Sequence, residues 1–101
     1  MQDQFQSFGQ FKTEHGQKYV TQLCKHFAHK IPAVAEGDTG KISFEMGTVD
    51  LTADASTLSM TATGSDQQAV TRMQGVIDSH LERFAFREDF KNMGWSPITP
   101  V

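Results

Sequence analysis

KISFEMGTVDLTADASTLSMTAT, residues 41–63, alternates strictly between apolar and polar positions. Ile42, Phe44 and Met46 fall on one side, and Lys41, Ser43 and Glu45 on the other. Val49, Leu51 and Ala53 then alternate with Thr48, Asp50, Thr52 and Asp54, and Leu58, Met60 and Ala62 with Thr57, Ser59, Thr61 and Thr63. A period of two over three consecutive runs marks antiparallel strands buried on one face. Gly47 and Asp54-Ala55-Ser56 break the runs with residues that favour turns. A fourth strand is expected over Ala33 to Glu36, joined to Lys41 through Glu36-Gly37-Asp38-Thr39-Gly40. That turn ends in Gly-Lys, but it lacks the phosphate-loop spacing and leads into a strand, so it reads as a hairpin.

Two helical patterns flank the meander. Ser65-Asp66-Gln67-Gln68 forms a capping box, after which Val70, Met73, Ile77, Leu81 and Phe84 recur at helical spacing. Ahead of the strands, a helix is expected from Glu14 to Lys30, with Thr13 as N-cap and an apolar stripe of Val20, Leu23, Cys24, Phe27 and Ile31. Pro32 stops it. Phe5, Phe8 and Phe11 fit neither period, and a strand is expected within 6–12.

The order β-α-β-β-β-β-α gives an α+β fold. It is a two-layer sandwich, one antiparallel sheet covered on one face by two helices. The topology is similar to that of the TATA-binding-protein repeat, an analogy that carries no function. Residues 1–101 read as one domain, with 92–101, which holds Trp95, Pro97 and Pro100, as a C-terminal tail folded over its edge.

Composition narrows the class. The single cysteine excludes an internal disulfide and fits a reducing compartment. The first residues, MQDQFQSFGQF, have no basic stretch followed by an apolar run, so no signal peptide is expected. Nothing approaches the ~20 apolar residues that cross a bilayer. The expectation is a cytoplasmic protein with no membrane contact. The net charge is −3. The open sheet face, Lys41, Ser43, Glu45, Thr48, Asp50, Thr52, Ser59 and Thr61, is more acidic than basic and has no aromatic platform, so it does not suit nucleic acid.

Chemistry concentrates in LCKHFAHK, residues 23–30, and SHLERFAFRE, residues 79–88. A helix advances roughly 100° per residue, so Cys24 lies with the apolar stripe and His26 far round from it. The two cannot form a dyad, and Cys24 reads as core. His26 and His29, three apart, are neighbours on a polar side that they share with His15, Lys18, Gln22 and Lys25. His80 falls at the edge of the second stripe, with Arg83 and Arg87 on the same flank. With the helices side by side, Lys25, His26, His29, Lys30, His80, Arg83 and Arg87 would line one basic groove suited to a carboxylate or phosphate. The plain alternative is a solvated face in which the arginines pair with Glu82, Glu88 and Asp89. A metal site would need His26, His29 and His80 together.

LCKHFAHK, GKISFEMG and HLERFAFRE, with the spacing between them, resemble the bacterial family called domain of unknown function 2218. The resemblance spans Thr13 to Trp95, and Cys24, His26, His29, His80, Arg83 and Phe84 match its signature. It implies an association with flavin-dependent siderophore-interacting proteins, hence with iron metabolism, and it implies no catalytic residue or cofactor. An aldolase label attached to some members finds no support in this sequence, which lacks a metal-binding carboxylate pair and a lysine isolated in an apolar pocket.

The expected function is therefore an accessory or binding domain, rather than an enzyme, taking an anionic or iron-chelating ligand between the helices. The alternatives are metal binding through His26, His29 and His80, and an enzyme with a histidine as general acid or base.

Overall fold

The computed structural model describes residues 4–101. Strand β1 (Phe5–Lys12) leads into helix α1 (Gly16–Phe27), followed by β2 (Ala33–Glu36), β3 (Thr39–Phe44), β4 (Gly47–Ala53) and β5 (Thr57–Gly64). Helix α2 (Gln67–Phe84), a short 3-10 turn (Phe86–Glu88) and β6 (Thr99–Pro100) complete the order. The sheet is antiparallel, in the order β2-β3-β4-β5-β1-β6. The α+β sandwich expected from the alternation is present. β6 is an addition, drawn from the segment read as a tail.

Register follows the alternation. Ile42, Val49 and Ala62 pair across three strands, as do Leu51, Met60 and Gly9. These residues face the helices, where Val20, Leu23, Phe27, Val70, Met73, Ile77 and Leu81 meet them in one core. At one end of the sheet, Phe44, Gly47, Gly64 and Phe5 form a cross-strand row. The two central glycines leave room for Met73 of α2 to press its methyl group against bare backbone.

β1 hides its period for a physical reason. Ser7 and Gly9 share the core face with Phe5 and Phe11, while Phe8 points outward and is 53% exposed. A Cβ at Gly9 would collide with Met93 and Trp95, which lie over it. Ser7 is buried and donates its hydroxyl to the Ser96 carbonyl. The C-terminal segment continues along the free edge of β1. Gln10 N–H donates to the Met93 carbonyl, Ser96 N–H to the Phe8 carbonyl and Val101 N–H to the Gln4 carbonyl. Asp78 of α2 holds the same segment by accepting from the Trp95 indole and the Met93 amide. The expectation that the open face lacks an aromatic is thus corrected. Phe8 stands there opposite Thr61, and Glu45 lies in the β3–β4 turn.

Both helix starts differ from expectation. Thr13 does not cap α1, because its hydroxyl accepts from His15 N–H and donates to Glu88 while its amide donates to the Ser56 carbonyl. That holds residue 13 outside the helix. At the other end, the amides of Lys30 and Ile31 both turn back to the Phe27 carbonyl, three residues earlier than the expected stop. Pro32 biases Ile31 away from helical backbone, which keeps the chain from resuming the helix after this turn. α2 is capped by Asp66, whose carboxylate accepts from Ala69 N–H.

Cys24 is core, 2% exposed, and burial pushes its thiol pKa upward. A protonated, enclosed thiol is a poor nucleophile. Thiol reagents are expected to label the native protein only as fast as it opens, and labelling within mixing time would contradict this placement.

Candidate functional site

α1 and α2 lie side by side on the sheet, so the edges of their apolar stripes meet. His26 and His80 come together there, with ring centroids 4.8 Å apart. His80 also packs on Phe27 at 4.8 Å, and His26 lies edge-on to Phe27 at 5.3 Å and to Phe84 at 6.1 Å. The imidazoles therefore sit on an aromatic floor formed by the last core residues of the two helices.

His80 Nδ1 is 2.7 Å from the Val76 carbonyl oxygen. A carbonyl can only accept, so Nδ1 carries the proton and Nε2 is the free nitrogen of the neutral ring. Such a bond fixes the ring's orientation as well as its tautomer.

His26 is exposed, yet its pKa is lowered. Desolvation is the first cause, and the charges of His80, His29, Lys30 and Arg83 add to it. All four neighbours are cationic or can become so, and among the described residues no carboxylate offsets them. Glu88, a candidate partner for the arginines, is committed elsewhere, to the hydroxyls of Thr13 and Tyr19.

The structure brings together five of the seven groove residues: His26, His29, Lys30, His80 and Arg83. His29 and Lys30 do so from the turn after α1, not from the helix, which ends at Phe27. Lys25 is rotated about 100° from His26 and is exposed. Arg87 lies in the 3-10 turn with its guanidinium over the Phe86 ring, 5.6 Å from the centroid. Neither contributes to the charge acting on His26.

The three-histidine metal sphere is not assembled. Among the described residues no group of three or more His, Cys, Asp or Glu is placed to hold a metal ion. Two imidazoles in contact are not a closed site, and the surrounding cations repel a bare metal ion. What the cluster offers is N–H donors and positive charge at a partly desolvated surface. Part of that charge complements the helix ends, since Lys25, His26 and Arg83 occupy last turns where the helix dipole favours cations.

Sequence reasoning missed two features. Gln22, one turn before His26, is half-buried, and its side-chain oxygen is buried without a hydrogen-bond partner among the described residues. Glu88 joins the 3-10 turn to Thr13 and Tyr19, far away in sequence. No local pattern signals either one.

A family model described as an uncharacterized protein conserved in bacteria (DUF2218) matches residues 9–96. The chain belongs to the DUF2218 family. The matched span contains α1, strands β2 to β5 and α2, and with them every residue of the histidine cluster. This DUF2218 chain is also similar to a solved structure, the NMR structure of PA4090 from Pseudomonas aeruginosa. The TM-score is 0.78 at 31% identity, covering 92% of this chain and 96% of that one. No curated protein matches. Among the described residues, no helix is long and apolar enough to cross a membrane.

Proposed function

We propose that this DUF2218 chain is a single-domain cytoplasmic accessory protein that binds a small anionic ligand, carboxylate or phosphate, at the His26/His80 cluster. The observation that carries the reading is the uncompensated positive charge around His26, in a protein whose net charge is −3. An anion would relieve that repulsion. Arg83 supplies a planar fork for an oxyanion, Lys30 a point charge and His26 an N–H donor, while His80, its own N–H tied to the Val76 carbonyl, packs against the His26 ring. The finer form, carried by the family resemblance alone, is a carboxylate chelator of iron handled beside a flavin-dependent siderophore-interacting protein.

The sign of the pH dependence follows from His26. Its folded pKa lies below the ordinary 6.5, so the unfolded chain takes the proton more readily. The free protein therefore loses stability as pH falls from 6.5 through the lowered value. A bound anion favours the protonated ring and raises that pKa, so binding takes up protons and tightens as pH falls through the same window.

The test is a chemical-shift titration with citrate and with phosphate at two pH values, following the imidazole signals. Shifts should centre on His26, His80 and Arg83, and weaken as salt rises. Arg83→Lys keeps the charge but loses the fork, and should weaken binding about tenfold with the melting temperature unchanged. Shifts confined to the open sheet face, or a His26 pKa indifferent to both anions, would rule the reading out.

A further inference from the structure

A second site lies at the opposite end of the interhelical seam, where the chain leaves β1 and enters α1. There Lys12, Thr13, Glu14, His15, Ser56 and Glu88 line a cleft of about 440 Å³. That volume is within the range of small-molecule sites, and hydrogen bonds hold its walls. Thr13 N–H is tied to the Ser56 carbonyl and the Thr13 hydroxyl to Glu88, while Asp54 pins the Ser56 turn by accepting from the amides of Ser56 and Thr57.

Glu88 is built to stay ionised. Burial pushes its pKa up, but the donors Thr13 and Tyr19, with His15 and Lys18 nearby, bring it below the usual value. Each oxygen accepts one internal hydrogen bond, from Thr13 and from Tyr19. A carboxylate has about four acceptor positions, so each oxygen keeps one for a ligand. The cleft also carries Glu14, and its lining includes two bases, Lys12 and His15. A purely cationic ligand would be repelled by Lys12 and a purely anionic one by Glu14 and Glu88. A molecule bearing both charges a few ångströms apart matches all of this lining.

The geometry points to a binding site for a zwitterion of the α-amino acid class, with its ammonium on Glu88 and Glu14 and its carboxylate on Lys12 and His15. It is separate from the histidine cluster and stands whether or not that cluster binds anions.

The test is an amide chemical-shift titration with glycine, L-glutamine, L-arginine and L-phenylalanine. Each is compared with its N-acetylated form, which lacks the ammonium, and its amide, which lacks the carboxylate. At least one amino acid should give saturable shifts at Thr13, His15, Ser56 and Glu88, and both blocked forms should bind at least about tenfold more weakly. Lys12→Gln and Glu14→Gln alter exposed side chains outside the internal hydrogen-bond set, so they should weaken binding by a similar factor with melting unchanged. The proposal is overturned if no amino acid shifts these amides, if a blocked form binds as well as its parent, or if neither variant weakens binding.

Discussion

Glu88→Ala is expected to lower the stability of the fold by about 2–4 kcal/mol, a fall in melting temperature of roughly 10–20 °C for a chain of this size. Glu88 is the acceptor for the hydroxyls of two buried residues. Tyr19 is 4% exposed and Thr13 6%. Alanine would strand both donors, and a buried donor without a partner costs about 1–3 kcal/mol. Glu88 is itself partly exposed, which keeps the figure below a full sum of two charge-assisted bonds. Glu88→Gln retains a carbonyl acceptor and should lose about half as much.

The pH profile gives a second reading of the same link. The folded pKa of Glu88 is lowered from 4.5, so its contribution is complete above 4.5 and is lost as pH falls through the lowered value. Tyr19 reports from the alkaline side. Burial, with the Glu88 bond and charge, raises its phenol from 10.0 to about 12, so that contribution is complete below 10.0 and disappears as pH rises towards 12. Thermal melts across both windows should show both slopes in the parent and shallower ones in Glu88→Ala, the alkaline slope persisting in part because burial is the first cause of the Tyr19 shift. A variant melting within a degree or two of the parent would mean that the tie carries no stability.

Gly47→Ala should be the more disruptive change. A Cβ at this position would drive into the Thr63 carbonyl oxygen and stand 2.9 Å from Gly64 Cα and 2.9 Å from the Met73 methyl group. A methionine can move, but the facing strand cannot without breaking the pairing of Gly47 with Gly64 and Thr48 with Thr63. Ordinary overpacking costs about 1–3 kcal/mol. A clash with backbone belongs at the top of that range or above it, so we expect a loss of ~3 kcal/mol or more and a broadened denaturant transition. Gly75 is the control. It lies within α2, a Cβ there meets nothing within 4 Å, and Gly75→Ala should stabilise by about 0.5–1 kcal/mol. If the two alanine variants unfold at the same denaturant concentration, the close approach at Gly47 is not real.

These two sites show which parts of the molecule are legible in its sequence. The β3–β5 meander is readable because Ile42, Val49, Leu51, Leu58, Met60 and Ala62 answer to one rule, alternate burial, that acts within each strand. Cys24 was readable as core for the matching reason on α1. The histidine cluster was half readable. Helical spacing placed His26 and His80 on facing flanks, but the flank runs only as far as the helix does. With α1 ending at Phe27, His29 and Lys30 reach the cluster by way of a turn, and Arg87 leaves it through the 3-10 turn after α2. Helix ends depend on where remote partners pull the backbone. Thr13 looks like a cap in sequence but answers to Glu88, 75 residues away. β1 was obscured similarly, since the space its core face lacks is filled by Met93 and Trp95.

The hydrogen bond from Val101 to Gln4 has a consequence for how the chain can be written. It sets Val101 beside Gln4 on one edge of the sheet, so one short link between those two residues would close the backbone from 4 to 101 into a ring. A short linker across that edge, with the chain reopened at the exposed Gly37 turn between β2 and β3, would change the reading order of every element while keeping each strand beside its present neighbours. In such a permuted protein the β2–β3 hairpin becomes a pairing of distant ends. Its folding rate relative to the parent would reveal how far that hairpin leads assembly.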